Sequence, residues 1–452
     1  MGGPMSGIID QDLDAAGVAS VIVVLKPPAG VAAAAASIRG LSRYFTQSEL
    51  SQESAITTDA QARAVAGGAP AGNPAPARTR RRAEDTLAAA ANLEHRPAVL
   101  QAELPEVEPP PVVRYYPNLG VALGTVTREG LAALQADDQV AAVVGTPQIA
   151  LIRPTQVRAA ALRSTRTWGL GALEVPDLWA QGLTGNGAVI GHLDTGVDGT
   201  HPGLRTAITH FAEFDFFGRQ VVPDPRPHDT GDHGTHTAGT IAGRPLNGRH
   251  FGVAPGASLA SAIVIEGGQV VARIIAGMDW AIGQGVRVLS MSLGLRGFVD
   301  DFLVLTQILR QRGVLPVFAV GNEGPGTSRS PGNYSEALSV GAMDRSREVA
   351  FFSSSQRFAR PNDPVVPDLV APGVGVISAR PGGGFQSMDG SSMATPHVAG
   401  LAALLLEAKP NATVDELERA LLESCALEPG QSPDRAGHGL PNGPQALKIL
   451  TE

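Results

Sequence analysis

At 452 residues, with 43% hydrophobic and 17% charged side chains and 54 glycines beside 35 prolines, the chain has room for two or three domains. Its composition is that of a turn-rich globular enzyme, which excludes a single miniature scaffold and a coiled coil. The lone cysteine, Cys425, excludes an internal disulfide, and a formal charge of -8 argues against nucleic acid or an anionic membrane as the main partner.

No run reaches the roughly 18 apolar residues of a membrane span. Residues 1–16 are expected to be disordered. They carry Asp10, Asp12 and Asp14 where an export signal would place positive charge and then an apolar core. As written, the chain is expected to be cytoplasmic; a missing presequence would make it extracellular. The run 17–27 (GVASVIVVLKP) predicts a buried strand closed by Pro27 and Pro28. From about 60 to 111 the composition becomes that of an inserted low-complexity segment. It has an Ala/Gly/Pro linker at 64–77, a solvated basic cluster at 78–82, a helix near 83–94 and an acidic, proline-rich stretch at 103–111.

Order resumes at 112–124, followed by an amphipathic helix at 127–136 and an apolar strand at 140–151, so that 17–151 forms a small strand-and-helix domain. Residues 152–166, punctuated by Arg153, Arg158, Arg163 and Arg166, read as an exposed connector and a domain boundary. From 167 onward strand-like runs at 188–193, 258–265, 286–293, 315–320 and 337–343 alternate with helical stretches at 236–243, 269–284 and 300–313. Such alternation predicts an α/β fold whose mostly parallel sheet is covered on both faces, with chemistry at the carboxyl ends of its strands. Thr413 and Glu416 have the spacing of a capping box opening a helix at 414–424.

Four segments carry chemistry. In 189–197 an apolar strand runs into Asp194, a costly place for a carboxylate unless it is paired; otherwise Asp194 caps a turn. In 232–240, His233 opens a helix of small residues; with His236 and the nearby His228 it is also a candidate zinc set. In 389–400, Ser391 and Ser392 begin an apolar helix. There a hydroxyl is either a cap or a nucleophile that gains from the helix's free N–H groups. In 316–324, Asn322 follows the end of a buried strand as an amide donor.

Together these segments resemble the subtilisin family of serine endopeptidases over about 167–452. The order Asp, His, Ser is subtilisin's own and identifies it by likeness rather than by deduction. The resemblance implies a three-layer subtilisin-like α/β fold with Ser392 as nucleophile, His233 as general base and acid, and Asp194 as the partner that orients the imidazole. It makes Asn322 the side-chain donor to the oxyanion. Ser292, Leu293, Gly294 and Ala319, Val320, Gly321 become the two backbone edges that hold an extended peptide. In the family His236 and His397 carry no catalytic role, and Met393 beside the nucleophile is the expected site of oxidative inactivation. An inactive peptide-binding scaffold and a zinc hydrolase on His228, His233 and His236 are the competing readings.

The sequence departs from the family pattern in three places. Ser391 stands where threonine is usual. Gly203 stands where many relatives have an aspartate for structural calcium, and the 244–251 loop lacks the usual amides. That calcium site therefore looks incomplete, and no cofactor is required. Arg329 aligns near the base of the specificity pocket: turned inward it favours an acidic residue before the scissile bond, turned outward it leaves a broad hydrophobic preference. By a weaker resemblance, 17–151 is a small α+β prodomain that assists folding and then inhibits the active cleft from within the same chain. Self-cleavage is expected between 152 and 166. The expected partners are protein or peptide substrates, with no nucleic acid and no membrane, and a monomer is expected.

Overall fold

The computed structural model describes residues 7–26, 37–46, 113–215, 217–223, 225–265, 270–360 and 363–452. The low-complexity insert at about 60–111, with its basic cluster and its expected helix at 83–94, lies outside the described residues.

The N-terminus departs from expectation. Residues 7–16 form a helix, α1 (Gly7–Ala16), because Ile9 and Leu13, one turn apart, bury themselves on the sheet that follows. That sheet has the antiparallel order β2 (Val113–Tyr116), β3 (Val121–Val126), β1 (Ala19–Leu25), β4 (Val140–Gly145). The period-two pattern of β1 serves two cores. Val21, Val23 and Leu25 pack toward α1 and α2 (Arg128–Ala136), while Ile22 and Val24 join the apolar layer shared with the larger domain. Two carboxylates fix this docking. Asp279 accepts the N–H groups of Asn118 and Leu119 at 2.7 and 2.9 Å, and Asp301 accepts that of Gly145 at 2.8 Å.

The larger domain is the expected three-layer α/β sandwich. Among the described residues its central sheet has seven strands, all parallel, in the order β15 (Leu369–Pro372), β14 (Leu338–Met343), β12 (Leu315–Ala319), β10 (Val288–Met291), β7 (Val189–Asp194), β9 (Ser258–Ile263), β8 (Ile208–Glu213). One face carries α3 (His233–Ala242) and the long α6 (Ser391–Ala408). The other carries α4 (Val270–Gly283) and α5 (Leu303–Gln311). Alternate residues divide between the layers: Ile190, Val288, Leu315 and Val317 face α6, while Leu193, Leu289, Met291 and Phe318 face α4 and α5. The chain closes with α7 (Val414–Glu423), opened by the expected Thr413 and Glu416 capping box, and α8 (Gly443–Thr451).

Among the described residues, two three-stranded sheets beside the main sheet shape the cleft. The predicted 140–151 strand breaks into β4 and a separate β5 (Ala150–Leu151), which leaves the N-terminal sheet and pairs antiparallel with β11 (Leu293–Arg296). β11 also pairs with β13 (Arg329–Ser330). The connector is more than an exposed loop: within it, β6 (Gln156–Ala160) pairs over five residues with β17 (Phe385–Asp389), itself paired with β16 (Val376–Ala379).

Candidate active site

Asp194 ends β7 and His233 begins α3, and two glycines let these elements meet. Gly196 has φ +111°, and a Cβ there would lie 2.3 Å from the His228 carbonyl oxygen; a Cβ at Gly234 would lie 2.0 Å from the Gly196 carbonyl oxygen. The turn after β7 therefore sits directly on the first turn of α3. His233 Nδ1 lies 2.7 and 3.0 Å from the two oxygens of Asp194. The Asp194 carboxylate also accepts the Thr195 N–H at 2.7 Å and the Thr237 hydroxyl at 3.2 Å. Both residues are almost wholly buried, so the pair is strong.

Burial alone would lower the basicity of His233, but the Asp194 charge and hydrogen bond outweigh it and leave the imidazole above its ordinary value. In the same way, burial would raise the Asp194 carboxyl, and the His233 charge and hydrogen bond carry it below the ordinary range. Asp229, which the sequence reading missed, braces this corner. It accepts the Thr195 hydroxyl at 2.7 Å and the Thr235 N–H at 2.7 Å, while Thr195 Oγ accepts the Gly234 N–H at 2.9 Å. Its only sequence signal is that a carboxylate lies four residues before a histidine that opens a helix.

Ser392 stands in the first turn of α6, on the same face of the sheet as His233. Pro396 gives the Ser392 carbonyl no partner one turn on, and the Ser292 hydroxyl approaches it instead at 3.4 Å. Ser391 holds Asn322: its N–H and its hydroxyl both reach Asn322 Oδ1 at 2.9 Å. The amide oxygen is thereby turned inward and Nδ2, the donor, outward.

The connector threads this site. Ala150 and Leu151 pair with Gly294 and Leu293, and the Ile152 N–H donates to the Ser292 carbonyl at 3.0 Å. Residues 150–152 of the connector thus run in extended pairing along Ser292, Leu293 and Gly294. The Ser392 hydroxyl donates to the Ile152 carbonyl at 2.7 Å, while Asn322 Nδ2 donates to the next carbonyl, that of Arg153, at 3.0 Å. Beyond Pro154, the Thr155 N–H donates to the Asp389 carbonyl at 2.8 Å and β6 begins. The two side-chain donors thus diverge onto successive carbonyls, and buried His233 Nε2 has no partner among the described residues. Hydrogen bonds of the second predicted edge go elsewhere: Ala319 pairs with Val340, Val320 donates to Val340 and accepts from Arg329, and the Gly321 N–H reaches Ser391 Oγ at 3.3 Å. Arg329 is turned inward and ion-paired with Glu323.

The histidines proposed for zinc do not converge. His236 Nε2 lies 2.9 Å from the Val376 carbonyl, and burial pushes its pKa down to about 3; His228 Nδ1 lies 3.0 Å from the Arg226 carbonyl. Among the described residues no group of three His, Cys, Asp or Glu is placed to hold a metal ion, so the structure does not bring His228, His233 and His236 together as a zinc set. At the position where relatives carry a calcium aspartate, a Cβ on Gly203 would meet the Phe251 ring at 2.7 Å. An acidic side chain does not fit there without a shift. His192, buried on β7 two residues before Asp194, bridges Ser261 at 2.9 Å and Thr237 at 2.8 Å. Met393 is fully buried.

A family model described as Subtilase family matches residues 185–439. Subtilisin Savinase from Lederbergia lenta is 36% identical over 284 residues, covering 62% of this chain and 98% of the relative. A thermostable alkaline protease from Halalkalibacterium halodurans is 30% identical over 339 residues, 75% of this chain and 86% of the relative. The major intracellular serine protease of Bacillus subtilis is 36% identical over 248 residues, 52% and 74%.

Proposed function

The chain belongs to the subtilase family and is a serine endopeptidase acting on protein or peptide chains, and from that premise we propose that Ser392, His233 and Asp194 carry the reaction in a self-processed proenzyme. The observation that carries this is the buried Asp194 and His233 pair beside a helix-opening serine whose hydroxyl meets the carbonyl of an extended chain.

In this mechanism Ser392 Oγ attacks the scissile carbonyl carbon and passes its proton to His233 Nε2, and Asp194 stabilises the imidazolium. The Asn322 amide, with the Ser392 N–H, stabilises the oxyanion. His233 then protonates the leaving amine, leaving an acyl group on Ser392 that water hydrolyses by the same steps.

The intact connector is the first substrate and the inhibitor, with residues 17–151 as its anchoring prodomain. Reaction at the Ile152 carbonyl requires Asn322 to move from the Arg153 carbonyl to that of Ile152, where it joins the Ser392 N–H on one oxygen, and requires the Ser392 hydroxyl to turn from that oxygen toward His233. The order of events is therefore processing first, then turnover of other chains.

A fluorophosphonate probe tests the reading. Label is expected on the processed fragment that carries Ser392, unaffected by a chelator, with intact mass placing the cut within 152–166. A processed protein that takes no label would overturn it in favour of an inactive peptide-binding scaffold.

The acid limb follows from His233. The imidazole must be neutral to accept the proton, and its pKa is raised above the ordinary value near 6.5. kcat/KM is therefore expected to fall as pH drops through a midpoint above that value, measured on a small peptide substrate across pH 5 to 9. A midpoint below it would show that Asp194 does not control the base.

A further inference from the structure

Arg329 and Glu323 lie between Gly294, on the edge that pairs with the connector up to Ile152, and Gly321 of the second predicted edge. A Cβ on Gly294 would come within 3.0 Å of Arg329 Cβ; one on Gly321 would come within 2.8 Å of Glu323 Oε2 and 3.2 Å of Arg329 Cγ. The arginine side chain therefore lies between Gly294 and Gly321. There Nη2 and Nε bind the Glu323 carboxylate, the latter at 3.0 Å, and Nη1 donates to the Gly294 carbonyl at 3.0 Å.

Each terminal nitrogen of the guanidinium is thus committed. Glu323 is held further by the Asn322 N–H at 3.1 Å and approached by Arg296 at 3.5 Å. The Arg329 and Glu323 side chains are only 11% and 18% exposed, against 74% for Arg296, so the inner pair is largely shielded from screening by solvent. Burial would raise the Glu323 carboxyl, but Arg329 holds it below the ordinary carboxylate range, so it stays charged. The residue that the chain itself presents in this register, Ile152, is aliphatic and 1% exposed.

We propose that this ion pair is the specificity-determining element of the cleft: it closes the pocket with a neutralised floor, selects an uncharged aliphatic residue before the scissile bond, and uses Glu323 to cancel an acidic preference that Arg329 would otherwise impose. An incoming carboxylate meets Glu323 as a like charge and finds Arg329 already engaged. An incoming lysine or arginine meets two guanidiniums around a single carboxylate. Removing Glu323 leaves both arginines uncompensated, and a substrate carboxylate becomes the counter-ion the site lacks.

This inference rests on the endopeptidase reading. Its test profiles the processed enzyme on peptides that differ only in the residue before the cut, after active-site titration with the fluorophosphonate. The native enzyme is expected to cleave after aliphatic residues with kcat/KM at least about tenfold above that for Asp, Glu, Lys or Arg. Glu323→Gln is expected to raise kcat/KM after Glu by about tenfold or more, with no gain after Lys. The double variant Glu323→Gln, Arg329→Gln should return the Glu rate to its starting level. Should Glu323→Gln not fold, Arg329→Gln alone serves, with Lys favoured over Glu by the charge it leaves behind. A native preference for Glu, or a profile unmoved by these substitutions in enzyme that still takes the label, overturns the inference. Failure of every form to take the label counts against the endopeptidase reading instead.

Discussion

Ser392→Ala is expected to abolish turnover, by about a million-fold, a magnitude carried over from subtilisin itself, and to leave the purified chain at full length. The hydroxyl is the one group beside the Ile152 carbonyl that can become the acyl carrier, and it lies 2.7 Å from that carbonyl oxygen. The substitution leaves the scaffold in place. Residue 392 is inside a helix that is buried along nearly its whole length, and alanine suits a helix interior. Asn322 keeps both bonds from Ser391, and Ile152 keeps its bond to Ser292. Intact mass and residual activity read both consequences. A Ser392→Ala chain cut at the same place in purified form would mean that processing is not its own work.

Asp194→Asn should cost about 10,000-fold in kcat with little change in KM. The amide differs from the carboxylate in one charge and one proton, and the surrounding donors decide how it sits. The Thr195 N–H at 2.7 Å claims the amide oxygen, which leaves the NH₂ group toward Thr237 and His233. Where that NH₂ group, in the place of the oxygen 3.0 Å from Nδ1, donates to Nδ1, the imidazole proton sits on Nε2, where a base must be vacant; where the amide oxygen 2.7 Å away accepts from Nδ1 instead, the tautomer is right but the carboxylate's charge is gone. Loss of the charge that had raised His233 also moves the residual acid limb to lower pH. A variant with an unshifted acid limb, or with only a few-fold loss, would remove Asp194 from the mechanism.

Much of this was legible in the sequence because each feature is local. A strand running into Asp194, a helix of small residues opened by His233 and an apolar rod begun by Ser392 announce themselves in nine to twelve residues, and all three elements form. The edge strand β8 was not read: its Thr209 and His210 are solvent-facing, and the run lacks a continuous apolar stretch. β15, four residues ending in Pro372, was too short to stand out. The α1 helix was hidden by its acidic residues, although Ile9 and Leu13 sufficed to bury it. Contacts far apart in sequence were the hardest. Nothing near Arg153 points to Asn322, 169 residues away, and the capture of Arg329 by Glu323 depends on a turn that brings the two side chains back under one strand end. Asp229 shows the same limit from the other side, since an aspartate in a loop looks alike whether it braces a catalytic corner or faces water.

The pairing of β6 with β17 gives the two sides of a single cut different fates. If the chain is cut at Ile152 as proposed, the preceding residues belong to another molecule, and dilution can carry them off. The following residues remain part of the protease, with five partners still in register along β17. Their local concentration is set by the tether alone, roughly millimolar for a short flexible one, and no dilution lowers it. The leaving-group half of the cleft thus keeps a resident that a protein substrate must displace, while a short substrate lying only on the β11 side meets no competitor.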